Sequence, residues 1–206
     1  MIHVYGVVDE LESLPQSRGV DDAPLERRRV GGVELVVSRA PGPSREVTRE
    51  AVLKHAEVVE ELMARSRAVL PAQFTAFADD EELTAAIQPK TEALEQGLHR
   101  VRGCVELGLR VAGASRDGVA ASSGTDYMRA RLAEEQLAAE LHEPLTQLSA
   151  ATTGRSASDR AYLVPESNVD AFREEVGRLQ SAHPGVTIVC TGPWPPYSFT
   201  DPREKE

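Results

Sequence analysis

The chain has 206 residues, a formal net charge of -10, 41% apolar and 27% charged residues. That composition is ordinary for a globular protein and leaves room for one large domain or two small ones. Splitting at Gly103 leaves each half at -5 (13 basic and 18 acidic residues before it, 10 and 15 from it onward), so neither half offers the clustered Lys/Arg footprint that phosphate binding needs.

In chain order, Ile2, Val4, Gly6, Val7 and Val8 predict a short strand. Residues 10–27 are polar, contain Pro15 and Pro24, and predict an irregular loop. Arg27-Arg28-Arg29 reads as a solvated turn before a strand. RRVGGVELVVSRA (28–40) predicts that second strand, bounded by Gly31-Gly32 and Pro41-Gly42-Pro43. From Ser44 the period changes. Val47, Ala51, Val52, His55, Val58, Val59, Leu62 and Met63 recur at three- to four-residue steps, the stripe of an amphipathic helix with Ser44 as N-cap and Glu46 in its first turn. AVLPAQFTAF (68–77) predicts an extended segment in which Pro71 demands a sheet edge or a bulge. Asp79-Asp80-Glu81-Glu82 opens a second helix, bent at Pro89, with Leu83, Ala86, Ile87, Leu94, Leu98 and Val101 inside.

Gly103 ends that helix, and CVELGLRVAG (104–113) alternates as a strand. Residues 113–124 read as a flexible loop. A long helix follows, with Met128, Leu132, Ala133, Leu137, Ala138, Leu141, Leu145 and Leu148 on its apolar face and a kink at Pro144. SAATTGRSAS (149–158) reads as a polar loop and RAYLVPE (160–166) as a strand. Ser167 or Asn168 caps a helix carrying Val169, Phe172, Val176 and Leu179, which Pro184-Gly185 stops before the strand VTIVC (186–190). The fold class is α+β with two small domains. Residues 1–102 form an N-terminal α+β domain. Residues 103–206 form a ferredoxin-like β-α-β-α-β domain, both helices on one face of the sheet, with a Pro/aromatic tail.

No apolar run approaches the ~20 residues that span a bilayer. MIHVYGVVDE lacks the basic flank of a signal peptide, so the sequence reads as cytosolic, with Cys104 and Cys190 as reduced, buried thiols. His55 reads as a core histidine, since no second ligand stands in register with it; His99, His142 and His183 are scattered, and no metal site or cofactor is expected. Neither a nucleophile elbow nor a phosphate loop occurs, so no enzyme activity is expected. The acidic run 79–82 lacks the alternating ligand spacing of a calcium loop.

Several segments resemble the gas vesicle proteins F and L, in that family's order and over nearly the whole chain. They are HVYGVV, the helix with His55 followed by VLPAQF, CVELGLRV, AYLV before a helix, and the terminal TGPWPPYSF. Gln73 stands where the family pattern carries Arg, which takes away the basis for a charge-based role of that strand. The resemblance implies a non-enzymatic protein of the gas vesicle and the cytoplasm, a minor structural or assembly component. It would bind the major shell protein and other accessory proteins of the vesicle, and neither nucleic acid nor membrane. Trp194, Pro195, Pro196, Tyr197 and Phe199 are the candidate partner or interdomain contacts, the prolines holding the aromatics in one extended path. The alternative from another class is a small-molecule-binding regulatory module of ferredoxin-like fold, an analogy from fold alone.

Overall fold

The computed structural model describes residues 1–40, 47–112, 124–156 and 158–200. The chain divides into two compact units. One is Met1–Cys104 together with the segment that begins at Trp194; the other is Val105–Pro193.

The first unit contains β1 (Ile2–Asp9), β2 (Leu25–Val30), β3 (Val33–Arg39), α1 (Arg49–Arg65), β4 (Ala68–Phe77), α2 (Asp80–Ile87) and α3 (Thr91–Val101). Its sheet has the order β2-β3-β1-β4, antiparallel throughout. Ile2 to Val8 are all buried, because both faces of this central strand are covered. On one face Val36 and Val69 pack with Val58, Val59 and Leu62 of α1. Their neighbours in the strands point the other way. There Leu70 meets α3 at Gly97, where a Cβ would stand 2.9 Å from the Leu70 Cδ1; glycine lets the helix lie directly on β4.

The expected strand 28–40 is a hairpin, and its first arm starts inside the predicted loop. Val30 pairs with Val33 across a two-residue turn in which Gly31 takes φ 59°. β2 escaped the sequence reading because it is so charged. Its charges are satisfied across the sheet and by α2: Arg27 with Glu34, Arg39 with Glu26 and Arg28 with Asp80, each at 3.1 Å. Arg39 also donates twice to the Asp80 carboxylate at 2.9 Å. β4 lies at the opposite edge, and the register slips opposite Pro71, so the proline is met by both an edge and an irregularity.

Thr48 caps α1, its Oγ1 accepting from the Ala51 N–H at 3.1 Å; Ser44 and Glu46, predicted in that role, lie outside the described residues. Asp79 caps α2, accepting from the Glu81 and Glu82 N–H groups at 3.0 and 2.9 Å. The single helix predicted over 80–101 is two, separated by a 3-10 turn, Gln88–Lys90, at Pro89. Proline brings no N–H to continue the ladder.

The second sheet contains β5 (Cys104–Ala112), β6 (Ala151–Ser156), β7 (Asp159–Pro165) and β8 (Thr187–Trp194) in the order β6-β7-β5-β8, with α4 (Gly124–Gln147) and α5 (Val169–Ala182) between strands. The element order is therefore β-α-β-β-α-β, the split β-α-β arrangement, and not β-α-β-α-β. The extra strand is β6, read as a loop from its small polar residues; pairing with β7, Ala151 opposite Leu163 and Thr153 opposite Ala161, makes it a strand. Leu107 and Leu109 of β5, Tyr162 and Val164 of β7 and Ile188 of β8 form one face. Leu141 and Leu145 of α4 and Phe172, Val176 and Leu179 of α5 pack onto it. The apolar stripe predicted for α4 does not all reach this core: Met128 and Leu132 are 56% and 54% exposed. A 24-residue helix runs about 36 Å, whereas strands of six to nine residues run about 20 to 30 Å, so α4 outreaches its sheet. Asn168 stands at the N-cap of α5, but its amide donates to the Leu148 C=O at 3.2 Å instead of capping. The stretch 113–123, predicted to be a loop, lies outside the described residues. Among the described residues no helix is long and apolar enough to cross a membrane.

Candidate functional site

The segment after β8 divides its residues between two tasks. Pro195 and Pro196 are buried, and Phe199 is 5% exposed. The chain makes a 3-10 turn at Tyr197–Phe199, closed by the Phe199 N–H donating to the Pro196 C=O at 3.1 Å. This turn packs against β4, and the Arg100 guanidinium of α3 donates to the Phe199 C=O at 2.7 Å. Between these anchors Trp194 is 45% and Tyr197 38% exposed. Burial of its hydroxyl, and the Glu60 charge, push the Tyr197 pKa up to about 12, so it stays a neutral donor. Of the five candidate contact residues, then, three are anchors and two aromatics face outward. All of these contacts lie within the first unit.

A buried polar network also occupies that unit. His3 and His55 share a hydrogen bond of 2.8 Å between Nε2 and Nδ1, and the His55 Nε2 lies 2.9 Å from the Ala72 C=O. A carbonyl only accepts, which fixes the tautomers. His55 donates from Nε2 to Ala72, so its Nδ1 must accept the proton-bearing Nε2 of His3. Burial first, then the charge on His55, lowers the His3 pKa to about 4; burial likewise lowers that of His55. Beside them the Tyr5 hydroxyl lies 2.8 Å from the Ser38 Oγ and accepts from the Val20 N–H at 2.7 Å. His55 is thus a satisfied core histidine. Its partner His3 was missed, although alternation puts His3 and Tyr5 on one face of β1, and that face must meet the α1 stripe that carries His55.

The second unit has a similar pair, buried His142 with the Tyr162 hydroxyl; burial raises the Tyr162 pKa. Cys104 and Cys190 are thiols outside any disulfide, half-buried rather than buried, and burial raises the Cys190 pKa. Among the described residues no three His, Cys, Asp or Glu side chains are grouped to hold a metal. An open depression of about 550 Å³ is lined by Asp9, Arg27, Glu34 and Arg102, among others. Its cations are already paired, Arg102 with Asp9 and Arg27 with Glu34. Neither that depression nor the histidine pair presents a reactive group to solvent. Exposed apolar side chains among the described residues stand on the tail (Trp194, Tyr197), at and before the start of α1 (Val47, Val52, Leu53), on α4 (Met128, Leu132) and on β8 (Val189); those of the tail are the aromatic ones.

A family model described as gas vesicle synthesis protein GvpL/GvpF matches residues 1–201. Gas vesicle protein F2 of Halobacterium salinarum is 29% identical over 216 aligned residues, covering 97% of this chain and 92% of that protein. Gas vesicle protein L of a Streptomyces strain is 25% identical, covering 99% and 94%. The crystal structure of the gas vesicle protein GvpF from Anabaena sp. PCC7120 matches with a TM-score of 0.82 at 17% identity, covering 100% of this chain and 98% of that one. GvpF from Microcystis aeruginosa matches at 0.74 and 16% identity, over 97% and 98%.

Proposed function

We propose a role for this chain from one premise: it belongs to the GvpL/GvpF family of gas vesicle synthesis proteins. It is a gas vesicle-related protein, and in our reading it is an assembly factor or minor structural component. It binds the major shell protein and assists nucleation or growth of the shell, in the vesicle and in the cytoplasm that surrounds it. No catalytic step is assigned to it. Shielding apolar surface of a shell subunit and presenting it to the growing edge is the mechanism we favour, and the ferredoxin-like second unit serves as scaffold.

The observation that carries this reading is the outward pair Trp194 and Tyr197. Their segment is held by buried Pro195, Pro196 and Phe199 and by Arg100, so little freedom remains to be lost when a partner docks. Trp and Tyr are the side chains most enriched among residues that dominate binding energy. The test is co-expression with the major shell protein and retention on an affinity tag. Wild type should retain the shell protein, and Trp194→Ala/Tyr197→Ala should weaken retention by about 30-fold or more, the effect of losing one dominant contact. Equal retention by the variant would remove these aromatics from the interface; no retention by wild type would overturn the proposed role.

A further inference from the structure

The two sheets have four edge strands among the described residues, and three carry obstacles of their own. β2 reads LERRRV and is charged; β4 contains Pro71 and a register slip; β6 slips between Gly154 and Ser156. These are the usual ways in which a protein blunts an edge. β8 is different. It is an edge strand, TIVCTGPW, without a charged residue; its one proline, Pro193, stands next to its C-terminal end and leaves the stretch Thr187–Thr191 free of any such obstacle, and Val189 in that stretch is 46% exposed.

The outer edge of β8 is nevertheless occupied. Alternate residues of a strand turn their N–H and C=O to the same edge, here Val186, Ile188, Cys190 and Gly192. The Gln180 side chain of α5 donates from Nε2 to the Val186 C=O at 2.8 Å, while its Oε1 accepts from the Ile188 N–H at 2.7 Å. One side-chain amide bridging the residues on either side of Thr187 makes the two bonds that the N–H and C=O of a single residue of a parallel neighbouring strand would make. Seven residues earlier, on the same face of α5, Arg173 donates to the Gly192 C=O at 2.9 Å. Two side chains of one helix thereby close both ends of the accepting stretch.

We propose that Gln180 and Arg173 are a stopper on a strand-accepting edge, and that the strand they turn away is β8 of a second copy of this chain. A second β8 suits the edge because neither strand brings a charge to repel the other, whereas β2, β4 and β6 each bring an obstacle. The test is Arg173→Ala/Gln180→Ala in the full chain, read by amide exchange and by mass in solution. The Ile188 amide should exchange about fivefold faster, the effect of losing one hydrogen bond of ordinary strength. A larger species absent from wild type should grow with concentration, and adding Val189→Lys should abolish it. If the double variant unfolds, Gln180→Ala alone frees Val186 and Ile188 and is read in the same two ways. Unchanged exchange at Ile188, or a wild-type mass at every concentration despite faster exchange, would overturn the proposal.

Discussion

Replacing His3 by glutamine should remove an acid sensitivity of the first unit. In the fold, the His3 Nε2–H donates to a His55 ring whose other nitrogen is already committed to Ala72. The proton that charges His3 goes to its Nδ1, inside the core, where burial disfavours the charge and the charge on His55 adds to that cost. His3 accordingly falls from its ordinary pKa of 6.5 to about 4. A depressed folded pKa means that the unfolded chain takes the proton first. Stability is therefore full above pH 6.5 and lost as the pH falls toward 4. The integrated loss from His3 is about 2 kcal/mol between pH ~6.5 and ~4.5, rising to about 3 kcal/mol at lower pH. Carboxylates that are paired in the fold lose stability in acid too, so the decisive quantity is the difference between wild type and His3→Gln, which keeps a neutral N–H donor. Trp194 is the single tryptophan and lies in the first unit, so its fluorescence in denaturant titrations reports that unit. The variant should be less stable than wild type near neutrality, and the gap should close by about 2 kcal/mol at pH ~4.5. A gap that stays constant with pH would refute the burial argument for His3.

Two further outcomes follow from anchoring and capping. Phe199→Ala removes a nearly fully buried ring and should destabilise the first unit by about 3 to 5 kcal/mol, measured by the same fluorescence titration. Asp79→Ala leaves the Glu81 and Glu82 N–H groups without their acceptor and should lower stability by about 1 kcal/mol; Asp79→Asn, which keeps an acceptor oxygen, should restore most of it.

What could be read from the sequence depended on whether the signal was local. The alternation of β5, the stripe through Val58, Val59 and Leu62, and the conflict between Pro71 and a sheet interior all act within a few residues, and each appears in the fold. β6 and the first half of β2 were missed because nothing in those residues is strand-like; β2 is set by ion pairs to Glu34 and Asp80, β6 by the facing β7. For the tail, composition marked the five residues but not their division. Which of them turn inward depends on β4 and on Arg100, about a hundred residues away in the chain.

That separation also sets an order of events during synthesis. The first unit is begun by residue 1 but acquires its Pro195, Pro196 and Phe199 only after the 89 residues of the second unit have been made. At about 5 to 20 residues per second the interval is roughly 4 to 18 s. For that time the surface of β4 that Phe199 will cover stays bare while the second unit can already fold. Of the two units, the one begun first is thus the last to be completed, and the outward aromatics take their place only after the whole of the second unit has been made.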